Sequence, residues 1–164
     1  MYEFLNSAEF LENRKNNKHH VFRNLNLELP TWDEILREFD ESVFSKNNFK
    51  VNDTLKFISI DGHRIKLASD FLYHVHQLDP SRACSAHCYV ALRTSTGTFG
   101  RHNDSADVIY WQLQGRTKWI VEDTNTAEYE IFTNDAIYIP CKMFHTVTSL
   151  TPRAGMSFGI DYHA

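Results

Sequence analysis

The chain is poor in the residues that interrupt or staple a fold. Of its 164 residues, six are glycine, four proline and three cysteine. Cys84, Cys88 and Cys141 are too few, and odd in number, for a disulfide framework, which fits a reducing, cytoplasmic compartment. The run Cys84-Ser85-Ala86-His87-Cys88 is at most half a zinc site, because Cys141 alone offers no second ligand pair. These thiols read instead as small side chains on a strand face. No run of about 18 apolar residues is present, so no membrane span is expected. The opening MYEFLNSAEFLENRKNNKHH lacks a basic start followed by an apolar stretch, so it does not read as a secretory signal. There is no Lys/Arg block, and 17 basic against 21 acidic residues give a net charge of −4. No nucleic-acid partner is therefore expected. The glycines form no G-x-x-x-x-G-K phosphate loop, and no serine sits in a nucleophile elbow.

What remains is ordinary globular composition, 42% apolar and 23% charged, which predicts one folded domain over 1–164. The expected class is mainly β with N-terminal helices. Residues 1–85 form a helical cover and the first strands, and residues 86–162 form a barrel or sandwich core. Pro30-Thr31-Trp32-Asp33-Glu34 opens a helix, with Thr31 and Glu34 spaced as a capping box. Trp32, Ile35, Leu36, Phe39 and Val43 then make one apolar face. A second helix is expected from Ser69, with Phe71, Leu72, Val75 and Leu78 on one stripe and Asp79-Pro80 ending it. Between them Leu55–Asp61 reads as a strand and Gly62-His63 as a turn. Residues 15–20 and 45–49 read as surface loops. From residue 86, short β-rich runs alternate with breaks at Ser95–Gly97, Gly115, Thr124-Asn125, Thr133-Asn134, Pro140 and Thr151-Pro152.

The chemically informative segment is Gly100-Arg101-His102-Asn103-Asp104. On a strand, residues two apart share a face, so His102 and Asp104 would converge, with Asn103 pointing away. His145, in a segment that follows Asp135-Ala136-Ile137-Tyr138-Ile139-Pro140, is the best candidate for a third ligand. Two imidazoles and one carboxylate on one face of an ion leave coordination positions open, an arrangement suited to non-haem Fe(II). If parity holds, Val108, Tyr110 and Gln112 face the same interior, as do Thr117, Trp119 and Val121, and Val147 and Ser149 beside His145. On the last strand Arg153, Gly155, Ser157 and Gly159 share a face. A row of Gly, Ser and Gly beside one cation would leave a hole fitted to a small dicarboxylate. Asp107 either braces the ligands from behind or pairs at the surface.

Residues 99–121 (FGRHNDSADVIYWQLQGRTKWIV), with DAIYIPCKMFHTV and RAGMSFGIDY, resemble the JmjC and cupin-like branch of the Fe(II)- and 2-oxoglutarate-dependent oxygenases. The shared pattern is H-x-D, an Asp-Val pair, Q-x-x-G-x-x-x-W and D-x-x-Y-I-P-x-x-x-x-H-x-V. The resemblance implies a double-stranded β-helix, or jelly roll. It also implies Fe(II) held by His102, Asp104 and His145, with 2-oxoglutarate and O2 as cosubstrates. The family usually carries a Lys or Arg for the distal carboxylate two residues after the glycine, where this chain has Thr117. A branch resembling prolyl hydroxylases takes its anchor from the last strand, and Arg153 stands close to that place. Arg153 is therefore the expected carboxylate partner, with Thr117 as a hydrogen-bond donor and Tyr110, Gln112 and Tyr89 as further cosubstrate contacts. The expected activity is hydroxylation of a protein side chain or a small molecule such as an amino acid, and a homodimer is one open assembly. Two alternatives stand beside it. One is a cupin-type dioxygenase or isomerase that does not use 2-oxoglutarate, and the other is a non-catalytic ligand-binding jelly roll.

Overall fold

A computed structural model describes residues 2–44, 49–52, 57–61, 66–95 and 99–161. The turn expected at Gly62-His63, residues 45–48 of one expected loop, Leu55 and Lys56 of the expected strand, and Thr96-Gly97 of the expected break lie outside these residues. A 3₁₀ turn (Glu3–Asn6) leads into helix α1 (Ala8–Lys15), where the Ser7 hydroxyl accepts the Phe10 N–H at 3.3 Å. Strand β1 (His20–Phe22), helix α2 (Trp32–Phe44), strands β2 (Phe49–Asn52) and β3 (Phe57–Asp61) and helix α3 (Lys66–His76) follow. The remainder is strand: β4 (Cys84–Ala91), β5 (Ala106–Gln114), β6 (Arg116–Glu122), β7 (Thr126–Phe132), β8 (Ala136–Ile139), β9 (Phe144–Ser149) and β10 (Arg153–Asp161).

Among the described residues, ten strands form two antiparallel sheets. The larger runs β1-β8-β5-β10-β4-β3-β2, and the smaller runs β7-β6-β9. The fold is a jelly roll with few helices. Strand β5 shows why the sequence selects it. Its residues Ala106–Leu113 are all buried, yet by two different environments. Val108 and Tyr110 pack inside with Trp119, Val121 and Val147 of the smaller sheet. Ile109, Trp111 and Leu113 pack outside, under the N-terminal helices. A strand covered on both faces needs apolar residues at both parities. The alternation read from the sequence therefore holds on β5. It holds on β10 as well, where Ala154, Met156, Phe158 and Ile160 face the helices despite a register shift between Ala154 and Gly155. Cys88 is fully buried on the helix-facing side of β4 with Cys84 packed beside it, and burial pushes the Cys88 thiol up to about 12.

The helical cover is held by aromatic contacts. The Phe71 ring of α3 lies 5.1 Å from Tyr2, 5.3 Å from Trp111 and 4.5 Å from Phe158. The capping box of α2 forms as expected: the Thr31 N–H donates to Glu34 Oε2 at 2.7 Å and the Glu34 N–H to Thr31 Oγ1 at 3.3 Å. Those bonds to the carboxylate hold the Glu34 carboxyl below its usual range.

Several expectations need correction. Helix α3 starts at Lys66, ahead of Ser69. Leu36 is 42% exposed, so the buried stripe of α2 is narrower than its apolar pattern. Residues 15–20 are not all loop, because His20 begins β1, which pairs with β8. Three residues are too short to show a strand period, and it is the open edge of β8 that recruits them. Residue 49 likewise enters a hairpin, since β2 pairs with β3. Phe71→Ala should cost about 3–5 kcal/mol, read as a lower urea midpoint at unchanged m-value. A smaller loss would mean that the cover collapses to fill the gap.

Candidate active site

His102 and His145 are 43 residues apart in the chain and directly opposed in space. They form a one-residue antiparallel bridge, with His102 N–H donating to His145 O at 3.0 Å and His145 N–H to His102 O at 2.8 Å. Residues opposed across an antiparallel pair put their side chains on the same face. The imidazole centroids accordingly lie 4.3 Å apart. His102 and Asp104 were expected to converge by strand alternation, and this is corrected: beyond the single bridge at His102 the segment through Asp104 is not strand. The backbone leaves the sheet there, and Asp104 is placed by its carbonyl, which accepts the Lys142 N–H at 2.8 Å. The convergence nonetheless occurs. One donor atom from each of His102, Asp104 and His145 lies within 4.8 Å of the others, and Asp104 Oδ2 is 3.6 Å from His145 Nε2.

The donor chemistry fits a metal ion. His102 Nδ1–H donates to the Gly100 carbonyl at 2.9 Å, and His145 Nδ1–H donates to the Met143 carbonyl at 3.1 Å. Each tie fixes the tautomer and leaves Nε2 with its lone pair free to coordinate. Burial, reinforced by the neighbouring His102, lowers the His145 pKa against the opposing pull of the Met143 carbonyl and Asp104. The ring is therefore held neutral, as a metal ligand must be. Trp119 stacks on His145 at 5.5 Å and 19°.

The three candidate ligands line a cavity of about 440 Å³, mouth included, together with Tyr89, Phe99, Val108, Tyr110, Trp119, Val147, Arg153 and Ser157. Arg153 is only 1% exposed. Its Nε donates to Ser149 Oγ at 2.9 Å and its Nη1 to Tyr110 Oη at 2.9 Å. Among the described residues its buried Nη2 has no hydrogen-bond partner. A buried guanidinium with an unsatisfied donor is costly unless an anion meets it. Behind it, Tyr110 donates to Gln112 Oε1 at 3.1 Å, Thr117 donates to the same oxygen at 2.8 Å, and Trp119 Nε1 donates to Thr117 Oγ1 at 3.0 Å. Gln112 Nε2 ends on the carbonyls of Gln114 and Ala154. Burial raises the Tyr110 pKa against the nearby Arg153, so the phenol keeps the proton it donates to Gln112.

The structure thus brings Tyr89, Tyr110 and Arg153 to the same cavity as the metal candidates. Thr117 and Gln112 are not among the lining residues. Their polar atoms satisfy one another one layer deeper, and they act on the cavity through Tyr110. Burial, helped by Asp104, pushes the Tyr89 phenol up to about 12. Gly155 leaves no hole, because the Tyr110 ring fills its place: a Cβ built there would meet Tyr110 Oη at 1.9 Å. Sequence reasoning missed the Gly100 and Met143 carbonyls, which no side-chain motif can announce, and Phe99 at the rim. Ser149 was placed on the right face without its bond to Arg153.

The JmjC domain family matches residues 68–164, more than half of the chain. The chain belongs to the JmjC family. Among solved structures, the ribosomal oxygenase YcfD from Escherichia coli matches with a TM-score of 0.75 and 16% identity over 95% of this chain and 51% of that one. The same enzyme in complex with cobalt and 2-oxoglutarate matches with a TM-score of 0.74 and 17% identity, at the same coverage of both chains. An RmlC-like cupin from Shewanella frigidimarina matches with a TM-score of 0.51 and 8% identity over 73% of this chain and 89% of that one. These likenesses establish the shared fold. The chain spans about half the length of the YcfD structures. No curated protein matches the sequence. The JmjC family uses Fe(II), 2-oxoglutarate and O2, and the donor set here suits that metal. Gly155→Ala should displace the Tyr110 ring and destabilise the fold by about 1–3 kcal/mol, measured by urea unfolding. Wild-type stability would show that the ring can yield without loss.

Proposed function

We propose that this JmjC protein is an Fe(II)- and 2-oxoglutarate-dependent oxygenase that hydroxylates a side chain presented by a protein. The observation that carries the reading is Arg153: a buried cation with a spare donor, lining the same cavity as two tautomer-fixed histidines and a carboxylate. His102, Asp104 and His145 would hold the iron. When bound, Fe(II) and 2-oxoglutarate supply the oxidising chemistry, coupling O2 reduction to loss of CO2 and formation of succinate. Arg153 neutralises the distal carboxylate of the 2-oxo acid in a low-dielectric site, where a charge-assisted pair is strong. Tyr110 and Ser149 hold the guanidinium in one orientation before the ligand arrives, which lowers the ordering cost of binding. Tyr89, Val108 and Val147 restrict water around the cosubstrate.

Access supports a macromolecular substrate over an enclosed small molecule. The Asp104 side chain is 38% exposed and Phe99 is 52% exposed, so the metal end of the cavity faces the mouth while Arg153 closes the far end. Arg101 and Glu122 form a two-pronged ion pair at 2.7 Å for each contact, and Arg101 lies 3.8 Å over the Phe144 ring. That pairing leaves a rim of balanced charge and aromatic surface beside the entrance. The name of the matched relative, a ribosomal oxygenase, points the same way.

Anaerobic addition of 2-oxoglutarate to the Fe(II)-loaded protein should produce a weak visible charge-transfer band. A metal-loaded protein that gives no band would favour a cupin-type dioxygenase or isomerase. Failure to bind any divalent metal would leave a ligand-binding jelly roll. Arg153→Met should retain the metal and lose about 3 kcal/mol of 2-oxoglutarate affinity, roughly 100-fold. Unchanged affinity in titration would remove Arg153 from the anchor role.

A further inference from the structure

Between β8 and β9 the chain reverses over Pro140-Cys141-Lys142-Met143, closed by the Met143 N–H donating to the Pro140 carbonyl at 3.1 Å. Lys142 has φ +64°, while Cys141 is not among the positive-φ residues. That pattern is a type II turn, whose third position favours glycine or asparagine over a lysine. The turn is therefore not held by its own preferences. Two hydrogen bonds from outside hold it. The Lys142 N–H donates to the Asp104 carbonyl at 2.8 Å, and the Cys141 N–H donates to Asp107 Oδ1 at 2.9 Å. The last residue of the turn is Met143, whose carbonyl fixes the His145 ring. The turn thus joins the backbone of one candidate ligand, Asp104, to the ring orientation of another, His145.

Asp107 is fully buried. Its second oxygen faces Arg14 Nε of α1 at 3.6 Å, and Arg14 Nη1 donates to the Leu78 carbonyl just beyond α3 at 3.2 Å. A buried carboxylate on the first residues of β5 is thereby backed by a cation from the helical cover, with its front oxygen applied to the strained turn.

We propose that Asp107, backed by Arg14, is a positioning residue for the metal centre: it clamps the 140–143 turn so that His145 and Asp104 meet at one ion. The assignment rests on the metal-binding reading above and extends it to a residue that touches neither metal nor cosubstrate. The contribution of Asp107 to ligand geometry then runs through the accepted Cys141 N–H, while the ion pair with Arg14 contributes to folding. The two roles are separable, because an amide at position 107 keeps the acceptor and loses the charge.

The test is Co(II) titration of the metal-free full chain, with the visible spectrum of the bound ion and the urea midpoint read in parallel. Asp107→Ala should bind Co(II) about 10- to 100-fold more weakly and alter the spectrum. Asp107→Asn should bind within about threefold of wild type while its urea midpoint falls, since the amide still accepts the Cys141 N–H. Should the alanine variant not fold, Cys141→Pro deletes the same hydrogen bond from the donor side and leaves the Arg14 pair intact. Proline suits the second position of a type II turn, and this variant should weaken Co(II) binding by a similar factor. Wild-type affinity in Asp107→Ala or Cys141→Pro overturns the assignment, as does an asparagine variant that falls as far as alanine. A wild-type protein that takes up no Co(II) overturns the metal reading itself, and the assignment with it.

Discussion

The site depends on the backbone bridge between His102 and His145. Two main-chain hydrogen bonds hold residues that are far apart in sequence directly opposite one another. Two further bonds, from each ring to a carbonyl two residues earlier, turn the free nitrogens to the same place. Neither pair suffices alone. Without the bridge the rings belong to separate segments, and without the carbonyls each ring can rotate or change tautomer. A metal centre tolerates little looseness in its ligands. Here the rigidity comes from four hydrogen bonds to main-chain carbonyls, which no surface substitution easily removes.

The second constraint is electrostatic. Arg153 stands in a wall of apolar and neutral polar groups, and burying such a cation is unfavourable unless its donors are met. Two of its nitrogens are satisfied by Ser149 and Tyr110, and the chain from Tyr110 through Gln112, Thr117 and Trp119 fixes the phenol in turn. Under the proposed anchor role of Arg153, the departure from the family pattern at Thr117 would be compensated from the opposite sheet. The cation comes from β10, and the position that usually carries it has become part of the scaffold that aims it.

Much of this was legible in the sequence, and the failures have common causes. The alternation of Val108, Tyr110 and Gln112 against Ile109, Trp111 and Leu113 assigned both faces of β5 correctly, because a strand buried on both sides still divides its residues by parity. The H-x-D pair was found for a reason that the structure replaces: the convergence is made by a bridge and a turn, not by a regular strand. Gln112 and Thr117 lie one layer behind the cavity, because parity and a family position say which side a residue faces, not how deep it lies or whether a neighbour has taken its polar atoms. The gap expected at Gly155 was filled by an aromatic ring from the adjacent strand, a compensation that only the register between β5 and β10 discloses. Strand β1 was invisible because three residues have no period.

The strand order carries a consequence for how the protein is made. Strand β10, which follows all the other described strands in sequence, lies in the interior of the larger sheet, between β4 and β5. Until residues 153–161 have been synthesised, both of those strands present open, apolar edges, and the wall opposite the histidines is missing. Such a chain cannot complete its sheet progressively from the N-terminus. It must wait with unpaired edges exposed and then close around β10, a topology of high contact order that favours slow folding and a need for protection on the way.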